Sequence, residues 1–339
     1  MKVAIKSKSG DVERIVVTPM PYLNVPDNNR HRVFADIKLV KGRILIKANR
    51  ELKDAGRFNY FIEFGNRITA QMQHQARELI AKEQLFDFLF PRSSIRNESL
   101  RFIPKLAWKS DSLNAEQKKA VEGVLTHPLN KAPYIIMGPP VTGKTKTIVE
   151  AIFQILVTDT RSSVLVCATS NAACNEICSR LLQIMHESLV FRMYSQKKAE
   201  DLDSIPDEIV QVSNLSTKYR AKYKSAQLPC LADLCKYRVV VGTLVMAGRL
   251  AQADIDKKHF NYVFLDECGS TTEANAVIAI AGVCTSYWRV NAGFIIAGDP
   301  KQLGPVVKSK CASFCGLGSF AISLSRHRIS IIVFRKVLA

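Results

Sequence analysis

The sequence predicts an α/β protein whose main domain is a parallel sheet covered by helices on both faces. Three observations carry this reading. From Leu113 onward, short apolar runs of strand length alternate with segments of helical period. Those runs are apolar almost throughout, which is the pattern of strands buried on both sides. The turn after the first run is rich in Gly and Pro and opens directly into a helix.

The elements follow in order. Residues 1–64 read as a small β module: Arg14 to Thr18, Arg32 to Val40, Arg43 to Lys47 and Phe58 to Phe64 are rich in Val, Ile and Phe, and turn signals such as Asp27-Asn28-Asn29 and Lys41-Gly42 separate them. Residues 65–112 read as a helical stalk and linker. Between Arg67 and Phe90, Ile68, Met72, Ala76, Leu79, Ile80 and Leu85 recur near helical spacing, which predicts one long helix stopped by Pro91. Arg92 to Ser112 reads as linker. Within residues 113–319, helices are predicted over Asn114 to Leu125, Lys144 to Leu156 and Ala172 to Met185. Strands are predicted over Tyr134 to Met137, Ser163 to Cys167, Arg238 to Val241, Tyr262 to Leu265 and Gly293 to Ala297.

Composition narrows the function classes. Of 339 residues, 47% are hydrophobic and 23% charged, which excludes a wholly disordered chain; 16 Gly and 13 Pro exclude a collagen-like one. Lys plus Arg minus Asp plus Glu is 48 − 30 = +18, a balance that predicts an acidic partner, most often nucleic acid. No run approaches the roughly 18 apolar residues that span a bilayer, and the first residues, MKVAIKSKSGDVER, contain no apolar core of a secretory signal. Membrane association is therefore not expected. The 9 cysteines read as reduced thiols of the cytosol or nucleus. No His stands at zinc-ligand spacing from the pairs Cys174/Cys178 and Cys311/Cys315, so buried structural thiols are the expected reading.

Three segments carry chemistry. Gly138-Pro139-Pro140-Val141-Thr142-Gly143-Lys144-Thr145 fits the phosphate-loop pattern, with a strand before it and a helix after it. Its glycines let backbone N–H groups turn around phosphates and the helix N-terminus adds its dipole. Lys144 is suited to the β and γ phosphates of ATP and the Thr145 hydroxyl to Mg²⁺. Val141 stands where many such loops carry glycine, and a β-branched residue is strained at positive φ. Tyr262 to Glu267 is an apolar strand delivering two adjacent carboxylates at its C-terminal end: Asp266 for Mg²⁺, Glu267 as general base. Gly293 to Leu303 is a strand ending in a polar turn, from which Gln302 reaches for the γ-phosphate. Lys218 to Lys224 interleaves cations with tyrosines, a surface that would neutralise phosphates and stack bases, or else a solvated charged helix.

Taken together, these segments resemble the motifs of superfamily-one helicases, specifically RNA helicases of the Armitage type that act in small-RNA silencing. The match runs from about Asn59 to about Ser319. Leu113 to Gln117 resembles the Q motif, which implies that Gln117 reads the adenine edge. Gly138 to Thr145 resembles motif I, and Cys167 to Ala173 motif Ia, which implies RNA-backbone contacts by Thr169, Ser170 and Asn171. Arg238 to Leu250 resembles a further segment, implying a strand contact by Thr243. Asp266 to Ser270 resembles motif II and Gly298 to Val307 motif III.

The resemblance implies a RecA-like P-loop NTPase domain over residues 113–319, ATP and Mg²⁺ as cofactors, single-stranded RNA and small-RNA silencing proteins as partners, and a cytoplasmic location. Cys268 stands where the family usually has Ala. No motif IV, V or VI follows motif III, and residues 320–339 form a divergent basic tail. The expectation is a chain that binds ATP and RNA and hydrolyses slowly. The alternative is a non-catalytic RNA-binding or scaffold fragment, and Lys144→Ala separates the two.

Overall fold

The computed structural model describes residues 14–19, 33–40, 43–48, 60–63, 67–89, 106–128, 132–139, 142–195, 204–219, 228–286, 289–299, 304–305 and 331–333. Pro91, Pro140, Val141, residues 220–224, Gln302 and the pair Cys311/Cys315 lie outside the described residues. The chain divides into two compact units, Met1–Ala70 and Gln71–Ala339.

The first unit is an antiparallel sheet of β1 (Arg14–Pro19), β2 (Val33–Val40), β3 (Arg43–Ala48) and β4 (Tyr60–Glu63), in the order β3-β2-β1-β4. All four strands expected from the Val, Ile and Phe runs are present.

Helix α1 (Arg67–Lys82) ends earlier than the periodicity predicts, and a separate short α2 (Phe86–Leu89) follows. Gln84 sits at φ +52 between them, and Leu85 N–H donates to the Ile80 carbonyl at 3.0 Å. The apolar rhythm hides this break because Ile80, Leu85 and Leu89 all reach one core on either side of it. A single left-handed residue redirects the chain without changing which face is apolar.

The second unit is built on a parallel sheet in the order β13-β5-β12-β9-β6-β8-β7. Its strands are β5 (Tyr134–Met137), β6 (Val164–Ala168), β7 (Val190–Arg192), β8 (Val239–Thr243), β9 (Tyr262–Asp266), β12 (Gly293–Gly298) and β13 (Ile331–Val333). A small hairpin, β10 (Thr285–Ser286) with β11 (Arg289–Val290), stands apart. The helices include α3 (Ala115–Thr126), α4 (Lys144–Thr158), α5 (Asn171–Leu182), α6 (Asp207–Gln211), α7 (Leu231–Leu234), α8 (Leu244–Gln252) and α9 (Glu273–Ile280).

Side chains alternate across the sheet as the pleat requires. Val164, Val166, Phe264, Ile295 and Ala297 face one core, with Val121, Ile152 and Ile177 of α3, α4 and α5. Leu165, Cys167, Val263, Leu265, Phe294 and Ile296 face the other, with Met72, Leu250 and Ile278 of α1, α8 and α9. Each such side chain contributes about 1.5–3 kcal/mol on burial, which is why the strands read as unbroken apolar runs.

Buried polar groups tie the linker to this domain. The Glu150 carboxylate, only 2% exposed, accepts from the backbone N–H of Lys109 and Ser110 at 3.0 and 3.1 Å. Gln154 Nε2 donates to the Ala107 carbonyl at 2.8 Å and to Glu150. Tyr219, read as a stacking face for bases, is buried instead: its ring meets Phe191 edge-on and its hydroxyl shares a 2.6 Å hydrogen bond with that of Tyr237. The apolar body of a tyrosine gains more from this core than from solvent. Cys167, Cys174, Cys178, Cys268 and Cys284 are buried free thiols. Among the described residues no helix is long and apolar enough to cross a membrane.

Candidate active site

Strands β5, β12, β9 and β6 are neighbours, in register Met137 to Gly298, Ile296 to Leu265, and Asp266 to Ala168. Their C-terminal ends therefore open on one edge of the sheet, where open α/β sheets bind ligands. The sequence-predicted groups after residues 137, 168, 265 and 298 converge there.

The phosphate loop leaves β5 at Gly138, whose N–H donates to the Gly298 carbonyl at 3.3 Å. Gly143 caps α4 at φ +82, a conformation that costs glycine little and a branched residue much. A Cβ there would lie 2.5 Å from Gln117 Nε2, so both backbone and space demand glycine. Thr147 N–H bonds the Gly143 carbonyl at 2.9 Å as the helix begins. The amides of Lys144, Thr145 and Lys146 thus precede the ladder, a donor set that fits phosphate oxygens. Lys144 folds back on the loop, Nζ donating to the carbonyls of Gly138 and Pro139 at 2.7 and 2.9 Å. Burial pushes its pKa down, and the carboxylates of Asp266, Asp299 and Glu267 pull it back up.

Asp266 is 3% exposed. Its Oδ2 accepts from Thr145 Oγ1 at 3.2 Å and its Oδ1 from the Glu267 N–H at 2.8 Å. Burial pushes this carboxyl above the usual aspartate range. The Glu267 amide holds it down, the Glu267 charge pushes it up, and Thr145 and Lys144 hold it down. Two hard oxygen ligands from separate loops meet here, the chemistry that suits Mg²⁺.

Glu267 is exposed and left-handed, at φ +57 and ψ 29, and its Oε2 accepts from Thr169 Oγ1 at 3.1 Å. The following 3₁₀ turn, Cys268–Ser270, is pressed on the end of β12: a Cβ on Gly269 would lie 2.3 Å from the Asp299 carbonyl oxygen. Cys268 is wholly buried in that turn and burial pushes its thiol far up, so it behaves as a small neutral filler.

Gln117 is committed in this structure. Its Oε1 accepts from Asn114 N–H at 2.9 Å and its own N–H donates to Asn114 Oδ1 at 2.8 Å, a capping box at the start of α3. Its Nε2 donates to the Thr142 carbonyl at 2.9 Å. Contact with an adenine edge requires one of these bonds to open. Thr142 Oγ1 in turn donates to the Pro139 carbonyl at 2.8 Å.

The residues implied for RNA lie on the same edge. Thr169 and Ser170 follow β6, and Ser170 Oγ caps α5 by accepting from Ala173 N–H at 3.0 Å. Asn171 turns its side-chain oxygen inward to the guanidinium of Arg192 at 2.8 Å. That fully buried cation lies over the Tyr194 ring at 4.0 Å. Thr243 ends β8 opposite Ala168. Sequence reasoning passed over Asp299, which is buried at the end of β12 and acts electrostatically on Lys144. Its signal was present: an acid directly after an apolar strand, the same pattern that singled out Asp266.

The AAA domain family model matches residues 112–234 and 193–310. The MOV-10 helicase of Gallus gallus is 36% identical over 75% of this chain and 26% of its own length, and mov-10-B.1 of Danio rerio 35% identical over 76% and 25%. The RNA helicase armi of Drosophila melanogaster is 27% identical over 92% of this chain and 28% of its own. The chain spans about a quarter of the length of these relatives.

Proposed function

The chain belongs to the AAA domain family, among its Mov10-like superfamily-one helicases, and on that footing we propose that it binds ATP with Mg²⁺ at the 138–145 loop and couples ATP hydrolysis to single-stranded RNA. One observation carries this reading. Thr145 and the buried Asp266 bring two ion-binding oxygens within 3.2 Å, directly beside the Lys144 ammonium and the amides at the start of α4. Bound Mg²⁺ supplies charge neutralisation at the phosphates.

In this reading Lys144 exchanges its two loop carbonyls for phosphate oxygens. Thr145 and Asp266 hold the ion, and Glu267 takes the proton of the attacking water. Gln302 senses the γ-phosphate by hydrogen bonding. Thr169, Ser170, Asn171 and Thr243 line the RNA path along the ends of β6 and β8. The net charge of +18 supports a polyanionic partner. RNA rather than DNA follows the naming of the relatives. By the same resemblance we assign the chain to small-RNA silencing, with silencing proteins as partners, in the cytoplasm. RNA-free turnover is slow, because Lys144 and Glu267 are both held by groups of the protein itself.

Steady-state ATP hydrolysis with and without oligouridylate tests the reading. RNA-stimulated turnover that falls at least about a hundredfold in Lys144→Ala, the scale of losing one transition-state donor, is expected. Activity and RNA binding indifferent both to nucleotide and to that substitution would instead establish the scaffold reading.

A further inference from the structure

We propose that Thr169 is a positioning residue through which RNA controls the catalytic base. Without RNA its hydroxyl holds Glu267; with RNA the hydroxyl turns to a backbone phosphate and the carboxylate is released. This rests on the reading that the chain binds both ATP and RNA.

The geometry follows from the sheet. Ala168 and Asp266 are register partners on neighbouring parallel strands, so Thr169 and Glu267 leave the sheet side by side. Thr169 is half-buried and keeps access to solvent, while Glu267 is exposed. A non-glycine residue at φ +57 is a strained placement. Here it coincides with the 3.1 Å bond from Thr169 Oγ1 to Glu267 Oε2. Backbone strain at a candidate base, together with a donor one strand away, is what a held carboxylate looks like.

The chemistry makes the two partners exclusive. A threonine hydroxyl has one proton to donate, and an ionised carboxylate and a phosphodiester both only accept. Thr169 therefore donates to Glu267 or to RNA, never to both. An arriving phosphate also repels the Glu267 carboxylate. The nearby cation is Lys144, whose pKa the Glu267 charge already raises. Displacement therefore carries the base toward the nucleotide, where the water must be activated. RNA binding and release of the base become one event, with no domain motion required.

The test is a double-mutant cycle on the full chain, reading RNA affinity by anisotropy of a labelled oligouridylate without nucleotide. The proteins are the wild type, Thr169→Val, Glu267→Ala and the double variant. Glu267→Ala tightens RNA binding in both backgrounds by removing a negative charge, and this part cancels in the cycle. The expected surplus in the Thr169 background is roughly three- to tenfold, the net worth of one hydrogen bond. Thr169→Ser keeps the surplus. In ATP turnover, Thr169→Val lowers the RNA stimulation ratio by roughly the same factor, through a raised RNA-free rate. Should Thr169→Val not fold, Thr169→Ala takes its place in the cycle.

A cycle with no surplus, in a chain that binds RNA and ATP normally, overturns this inference and leaves the proposed function standing. A wild-type chain that binds neither overturns both. A surplus lost in Thr169→Ser as well would show that the methyl group, not the hydroxyl, matters, and would also overturn the inference.

Discussion

Gly143→Ala tests the construction of the phosphate loop in a way that separates backbone from contact. The first cost is conformational: alanine at φ +82 costs about 1–2 kcal/mol relative to glycine. The second is steric, because the new Cβ lies 2.5 Å from Gln117 Nε2 and must drive that side chain away. Gln117 then loses its bond to the Thr142 carbonyl, worth about 0.5–1.5 kcal/mol. The sum is about 2–3 kcal/mol, and in a chain of this size each kcal/mol lowers the melting midpoint by about 2–4 °C. The assay is chemical denaturation of the single variants and the pair. Gln117→Ala alone costs about 1–2 kcal/mol, through the capping box and the loop bond. With Gln117 already removed, Gly143→Ala retains only its backbone cost, so the double variant is less destabilised than the sum by about 1 kcal/mol. Additivity of the two changes, or a Gly143→Ala variant as stable as the wild type, would refute this account of the loop.

Three further outcomes are expected. Asp266→Asn stabilises the nucleotide-free chain, with a melting midpoint higher by about 2–4 °C, because an ionised carboxylate is buried there. The sign follows from its raised pKa: folding holds this proton more tightly than the unfolded chain does. Its contribution is therefore favourable in acid and lost as pH rises through the folded value. The advantage of Asp266→Asn accordingly grows from acid to neutral pH, as melting curves across that range will show. Glu150→Gln replaces an oxygen that accepts from the linker backbone, costing about 1–2 kcal/mol by urea denaturation. It also exposes residues 106–110 to limited proteolysis. RNA affinity falls steeply with salt, the logarithmic slope being about −0.7 per phosphate neutralised; anisotropy titrations that show a flat response contradict phosphate contacts.

The parts of this protein legible in the sequence are those fixed by local chemistry. Strands buried on both faces must be apolar throughout, so β5, β6, β8, β9 and β12 announced themselves. The loop before α4 was legible because phosphate binding demands glycine and lysine at set offsets. What escaped depends on tertiary contact. The left-handed Gln84 leaves no trace in a periodicity that both flanking helices satisfy. Tyr219 carries the composition of a stacking residue, and only the surrounding Phe191 and Tyr237 turn it into core. The double engagement of Gln117 joins residues 25 apart, and the Thr169 to Glu267 bond joins residues 98 apart. Strand order decides such meetings, and strand order is written in no single segment. Asp299 was legible in principle, since it ends an apolar strand as Asp266 does.

Calorimetric titration of the folded chain with a non-hydrolysable ATP analogue tests the central claim most directly. One saturable site is predicted, requiring Mg²⁺ and lost in both Lys144→Ala and Asp266→Asn. A chain that unfolds cooperatively yet takes up no analogue, or that binds equally well after both substitutions, would contradict the account.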